Sequence, residues 1–277
     1  MFLRVYLTLW LAVAVIAPSS LAADDLLQLE GDVLQGGMVR GMTEGGAQVT
    51  IDGKPIRVSD NGRFVFGFGR DAQGEVTLEV RAPNADTERR VLKIAPREYR
   101  VERVDGLPPK MVTPPDEVLA RIRQENKEIA RVRALDTPET WFASQFHWPA
   151  SGRISGVYGS QRVLNGEPRR PHYGLDVAAP VGTPVYAPAA GLVALAEVDL
   201  YYTGGTVMID HGHGVTSVFS HLSSVDAKVG TKVAIGDFIG RIGATGRASG
   251  AHLDWRVNWF GERLDPELLV GPMPKAP

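Results

Sequence analysis

The 277-residue chain contains no cysteine. That excludes disulfides, cysteine-based zinc sites, iron–sulfur clusters, thiol nucleophiles and cysteine lipid anchors. It also lacks an excess of either charge: 30 Lys and Arg stand against 32 Asp and Glu, a formal net charge of -2. A nucleic-acid partner usually demands a basic surplus, so none is expected here. Aromatic residues are only 8%. Long apolar runs are missing as well, except at the N-terminus, which argues against a polytopic membrane protein. What remains, 44% hydrophobic and 22% charged residues, is the composition of an ordinary globular protein. The 31 glycines and 19 prolines point to many turns and hence to β structure.

The one long apolar run, Val5–Pro18, follows Arg4 and precedes Ser20-Leu21-Ala22. A positive start, an apolar stretch short of a span and small residues at the end read as a secretory signal over residues 1–22. The mature chain would begin at or near Ala23, without a membrane span, and reside in the periplasm. Without cysteine, such a protein must be held by its core alone or by a metal.

Three regions follow. Residues 23–95 read as a small all-β accessory or spacer domain of about seven short strands, an immunoglobulin-like sandwich. Phe64, Phe66 and Phe68 alternate on one face, as do Val76, Leu78 and Val80. Residues 96–140 form a linker in which Thr113-Pro-Pro-Asp116 opens a helix. Val118, Leu119, Ile122, Ile129 and Val132 follow the helical period. The opposite face, with Arg121, Arg123, Lys127, Arg131 and Arg133, is expected to be solvated, or to meet an anionic wall polymer. This helix precedes the third region and could cover its cleft. Residues 141–271 form a second β domain, built from antiparallel strands of barrel-sandwich type. Val181-Gly-Thr-Pro-Val185 is echoed by Val229-Gly-Thr-Lys-Val233. That echo also resembles biotinyl and lipoyl carriers, but Lys232 sits inside a strand entry rather than at a hairpin tip.

Five of six histidines fall between residues 172 and 252. In Ala251–Trp259, Leu253, Trp255, Val257 and Trp259 alternate with His252, Asp254, Arg256 and Asn258. On a strand the first set faces the core, and His252 and Asp254 share the other face. His172 and Asp176 likewise share a face in extended backbone, and both suit zinc. His221 ends an apolar strand. His211 and His213, in Asp210-His-Gly-His-Gly214, read as hairpin-turn residues rather than ligands. His147, before Trp148-Pro149, reads as structural or at a substrate edge.

From Phe146 to Asp265 the chain resembles the lysostaphin-like (LytM-type) zinc metallopeptidases. The likeness rests on His172-x-Gly174-x-Asp176 before Ala-Pro, Gly-Thr-Pro-Val-x-Ala, Asp210-His-Gly, Ser220-His221-Leu222, and Gly243-x-Thr-Gly246 leading to Gly-x-His252-Leu. The resemblance implies a peptidoglycan endopeptidase with one Zn2+. His172 and Asp176 would be zinc ligands, and His221 and His252 would flank the attacking water, one as base and one steadying the oxyanion. The third ligand is normally the second histidine of His-x-His, and Asp254 stands there. A His172/Asp176/Asp254 set would be neutral with zinc bound. The alternative is that Asp254 pairs with Arg256 in a catalytically silent wall-binding module or an activator of other wall hydrolases.

Overall fold

A computed structural model describes residues 26–84, 86–104 and 115–273. The signal segment, Thr113 and Pro114 lie outside these residues. The first seven strands are β1 (Gln28–Gly31), β2 (Met38–Met42), β3 (Gln48–Ile51), β4 (Lys54–Ile56), β5 (Arg63–Gly67), β6 (Glu75–Arg81) and β7 (Thr87–Lys93). They form two sheets, in the orders β1-β2-β5 and β4-β3-β6-β7. Val39, Phe64 and Phe66 from one sheet meet Val49, Leu78 and Val80 from the other in a common core. Alternation explains this face, since every second side chain of a strand points the same way.

The reverse face of β2 and β5 departs from the accessory-spacer expectation. Met38 and Val65 are buried in the core of the C-terminal domain. The sheet is thus apolar on both sides, and Arg63–Gly67 has no solvated face. Polar clasps surround this contact. Arg40 donates to the carbonyls of Phe142 and Ser144 at 2.9 and 3.1 Å. Arg97 pairs at 2.8 Å with Asp265, whose side chain is buried. The sandwich is docked on the domain that follows it.

The connector is only partly helical. β8 (Val101–Val104) pairs in parallel with β10 (Gln161–Leu164), which also carries β11 (Glu167–Pro168). Asp116–Val118 makes a 3-10 turn, and helix α1 spans Leu119–Arg133. Ile122 and Val132 are buried, and Arg121, Arg123, Lys127 and Arg131 are exposed, as the helical period requires. Arg133 is the exception: burial and the neighbouring Arg263 and Arg256 push its pKa down to about 9.

The remaining strands are β9 (Arg153–Gly156), β12 (Leu175–Ala178), β13 (Pro184–Tyr186), β14 (Gly191–Leu200), β15 (Gly204–Asp210), β16 (Val215–Val225), β17 (Lys232–Val233), β18 (Phe238–Ile242), β19 (His252–Trp259) and β20 (Glu262–Leu264). They build one ten-stranded sheet whose main path is β17-β14-β15-β16-β19-β12-β9. One face packs Leu175, Val177, Val207, Ile209, Phe219, Leu253 and Trp255 into the core. On the other, Val132 of α1 packs with Leu195, Leu200, Met208 and Val218. Val218 lies opposite Arg256 in the register of β16 and β19, so α1 flanks the row that carries Asp254. Among the described residues no helix is long and apolar enough to cross a membrane.

Candidate metal centre

β12 and β19 run antiparallel with Asp176 opposite Asp254 and Ala178 opposite His252. The alternation expected of β19 holds: Leu253, Trp255 and Val257 enter the core, leaving His252, Asp254 and Arg256 on the other face. Just before β12, His172 is tied down by its backbone, which donates to Ser160 and accepts from Gly159 at 2.9 and 2.7 Å. One donor atom from each of His172, Asp176 and Asp254 lies within 4.8 Å of the other two, and all three residues are buried.

Two glycines make this convergence possible. A Cβ on Gly174 would stand 2.4 Å from Asp254 Oδ1, and one on Gly156 would stand 2.3 Å from Asp176 Oδ2. Any larger residue would push a carboxylate out of place.

The cluster is polar but poorly satisfied. His172 Nε2 lies 3.1 Å from Asp176 Oδ1 and 3.8 Å from Asp254 Oδ1. Yet His172 Nε2 and Asp176 Oδ1 are buried with no hydrogen-bond partner. Buried polar atoms are normally paired, because leaving one bare costs on the order of 1–3 kcal/mol. Donors left bare and aimed at a common point fit a divalent cation. Burial opposes charge on His172, but Asp176 and Asp254 outweigh it and raise its pKa.

Asp254 has a second partner. Arg256 Nε donates to both of its oxygens, at 2.9 and 3.1 Å, and Arg256 Nη2 also donates to Oδ2. Burial alone would raise the Asp254 pKa, but Arg256 and His172 hold it well below the usual carboxylate range. Arg162 Nη2 similarly approaches Asp176 Oδ2 at 3.3 Å. Asp176 therefore meets a guanidinium on Oδ2 alone while its Oδ1 faces His172, whereas Arg256 engages both oxygens of Asp254, including the Oδ1 that lies 3.8 Å from His172 Nε2. Nothing in the spacing of the sequence signals Arg162, which arrives on β10.

His221 reaches the same face by an irregularity. It shares parity with Phe219, whose ring is in the core, so a regular strand would bury it on the wrong side. Between the pairs Gly205↔Leu222 and Val207↔Phe219, two residues of β16 oppose one of β15. This β-bulge, with His221 at φ 65°, re-aims the imidazole. Thr245 locks the bulge: its carbonyl lies 2.8 Å from His221 Nδ1, and its hydroxyl donates to Leu222 O at 2.8 Å. His252 Nδ1 lies 2.8 Å from Gly250 O. A carbonyl only accepts, so each Nδ1 carries a proton, and in a neutral ring the lone pair then sits on Nε2. The two rings lie 4.7 Å apart, and His252 Nε2 is 3.8 Å from Asp176 Oδ1. Burial lowers the pKa of His221.

The other histidines stand apart from this cluster. His211 is buried, with Nδ1 2.7 Å from Ala190 O and Nε2 2.8 Å from Ser217 Oγ, and burial lowers its pKa to about 4. His213 takes φ 49° in the hairpin between β15 and β16, as a turn residue would. His147 is exposed.

Comparison with known proteins bears on the same segment. The profile of peptidase family M23 matches residues 170–266, which carry all five of these side chains. The DD-carboxypeptidase/endopeptidase Mpg of Neisseria meningitidis is 37% identical over 123 residues, 44% of this chain and 28% of that protein. The peptidoglycan DD-endopeptidase ShyA of Vibrio cholerae is 39% identical over 106 residues, 38% of this chain and 24% of that protein. The chain thus matches about a quarter of the length of these curated relatives. A crystal structure of a Pseudomonas aeruginosa protein assigned to peptidase M23 is 32% identical, with a TM-score of 0.67, and covers 86% of this chain and 95% of its own. That coverage extends beyond the segment matched by the family profile, so likeness in the strands that carry this cluster comes with likeness in much of the surrounding architecture, and the chain belongs to peptidase family M23.

Proposed function

We propose that the protein is a zinc-dependent endopeptidase that hydrolyses peptide bonds in peptidoglycan stems or cross-links, exported by residues 1–22 to the periplasm. The observation that carries this reading is the buried His172/Asp176/Asp254 cluster, with His172 Nε2 and Asp176 Oδ1 lacking partners, beside two histidines whose Nδ1 atoms are held by backbone carbonyls. His172, Asp176 and Asp254 would hold the zinc. Bound zinc supplies Lewis acidity toward water and the scissile carbonyl.

The chain's own groups do the rest. The Thr245 carbonyl fixes the His221 ring, and burial keeps it neutral, the form that accepts a proton at Nε2. His252, oriented by Gly250 O with Nε2 3.8 Å from Asp176 Oδ1, would steady a developing oxyanion through an Nε2–H when both of its ring nitrogens carry protons. Arg256 and Arg162 offset the charge of the two carboxylates, so the pair of anions can persist out of water.

Zinc assays on protein purified without chelator, together with digestion of purified sacculi and identification of the released peptides, test this. Bound zinc and released stem peptides are expected. One feature favours a second reading: Arg256 engages both oxygens of Asp254, as a silent wall-binding module or hydrolase activator would allow. Protein that stays metal-free with zinc supplied, and leaves sacculi intact, would select it. Asp254→Asn separates the readings further, because only under ligation does it lower zinc content sharply.

A further inference from the structure

The face of β19 that carries Asp254 continues into a group of arginines. Arg256 and Asn258 follow Asp254 on that face. Arg263 of β20 lies opposite Asn258 and donates to its Oδ1. From above the same face comes Arg133, the last residue of α1. Its neighbour Val132 packs with Val218, and Val218 lies opposite Arg256. Arg133, Arg256 and Arg263 thus gather at one end of the row that begins with His252 and Asp254.

No carboxylate balances two of them. Arg256 is engaged by Asp254, but among the described residues neither Arg133 nor Arg263 has an ion pair. Arg133 Nε is buried with no hydrogen-bond partner. Burial and the charges of Arg263 and Arg256 lower the Arg133 pKa to about 9. Burial, Arg256 and Arg170 lower that of Arg263 to about 10, against the opposing pull of Tyr173 and Glu262. A helix C-terminus favours cations through its dipole, which accounts for Arg131 and Arg133 alike. Arg131, however, is exposed and pairs with Glu128. The dipole does not explain drawing Arg133 inward beside two like charges, where its Nε finds no acceptor. Taking guanidinium groups out of water without countercharge is costly, so the group fits an anion that the chain does not supply.

Access and spacing narrow the choice of anion. All three arginines are half-buried rather than sealed. Arg263 also lines, with Arg170 and Tyr173, a cavity of 760 Å3 between the sheet and the sandwich. Tyr173 directly follows His172, so this space adjoins the metal cluster. Along β19, at about 3.4 Å per residue, Arg256 and Asn258 stand about 7 and about 14 Å beyond Asp254. That is the reach of about two to four residues of extended peptide. A chain laid across the cluster for hydrolysis is a peptide, and the anion a peptide carries is a carboxylate. The planar guanidinium fork matches a carboxylate with two parallel hydrogen bonds.

We propose that Arg133 and Arg263, beside Arg256, form a subsite for a carboxylate of the substrate peptide, about two to four residues from the bond presented to the metal cluster. The inference rests on the peptidase reading, but its binding test needs no hydrolysis. The probe is a glycan-free stem-peptide dimer, either with free carboxylates or with all of them amidated. Affinities are measured by calorimetry on the mature full chain with zinc supplied, carrying His221→Ala so that nothing is cleaved during titration. The free dimer should bind about ten-fold more tightly than the amidated one at low salt, and added salt should shrink that margin. Arg133→Met and Arg263→Gln should each cut the margin about five-fold by weakening the free dimer alone. Arg131→Gln, in the same helix turn, should leave it unchanged. Arg133→Met should melt no lower than its parent, because it removes an unpaired charge. Failure of the free dimer to bind, equal affinity for the two dimers, or variants that weaken both alike would overturn the proposal. A marked fall in the melting temperature of Arg133→Met would overturn it too, by making Arg133 a structural residue. Cleavage of the free dimer is measured on the chain with His221 intact. Cleavage without the margin refutes the subsite alone; a margin that the arginine variants lose, without cleavage, refutes the peptidase reading alone.

Discussion

The sandwich and the ten-stranded sheet are made from the same alternating strands, yet they place their charged residues differently. In the sandwich, acidic and basic side chains such as Glu79 and Arg89 pair at the surface, where solvent screens them. In the sheet, His172 and Asp176 are buried with polar atoms left unpaired, and Asp254 is buried beside them against Arg256. Burying carboxylates is costly, and a fold selected for stability alone would fill such a face with apolar residues, as β5 does on both of its sides. The difference teaches where to look for chemistry: it lies where a strand keeps charge that packing would discard.

The widest gap between the regions should appear in hydrolysis. His221→Ala and His252→Ala are expected to lower sacculus digestion by about 10²–10⁴-fold while zinc stays bound. His172→Ala and Asp176→Ala should lose the metal as well. If His221→Ala strips zinc as thoroughly as His172→Ala, the division of roles is wrong.

Next come substitutions at buried contacts. Arg256→Ala leaves the Asp254 charge without its guanidinium and should cost the zinc-free protein about 3–5 kcal/mol in urea unfolding. Added zinc should recover much of that loss, whereas a simple packing defect would not respond to metal. Phe64→Ala should cost about 3–5 kcal/mol through a sandwich cavity, and Met38→Ala about 2–5 kcal/mol at the junction of the two domains. Calorimetry should show one transition that both variants lower, because Met38 and Val65 tie the sandwich to the main core. Two separated transitions in the wild type would break that part of the comparison.

A smaller effect is tied to pH. The His211 pKa falls from 6.5 to about 4 on folding, so the unfolded chain binds the proton more readily. The stability that neutral His211 contributes is complete above about pH 6.5. It is lost as pH falls toward 4, on the order of 3 kcal/mol in all. His211→Gln should flatten this stretch of the stability profile. At the bottom of the scale, Arg89→Ala removes a surface pair and should leave the melting temperature unchanged.

Much of the site was legible because strand alternation is a local rule. It put His252 and Asp254 on one face of β19, and the glycines of Asp210–Gly214 assigned His211 and His213 to a turn. The seven strands of the sandwich and the helical period of α1 were readable for the same reason. His221 was legible only through the family motif Ser220-His221-Leu222, since alternation places it with Phe219 in the core and only the bulge brings it round. Arg162 was hidden because it reaches Asp176 from β10, far from any motif. Docking of the sandwich was obscured because Val65, between Phe64 and Phe66, looks like an ordinary member of an apolar run.

The sequence by itself determined the class of fold and, through its resemblance to a known family, the candidate ligands and the departure at Asp254, since these follow from period and motif order. Only the tertiary structure decided that Asp176 stands opposite Asp254, that His172 and Arg256 share that second carboxylate, and that the sandwich shares a core with the peptidase sheet. Those outcomes depend on strand register and on close packing between segments distant in the chain. No local pattern encodes a register, because sliding a strand by two residues preserves its alternation and changes every partner.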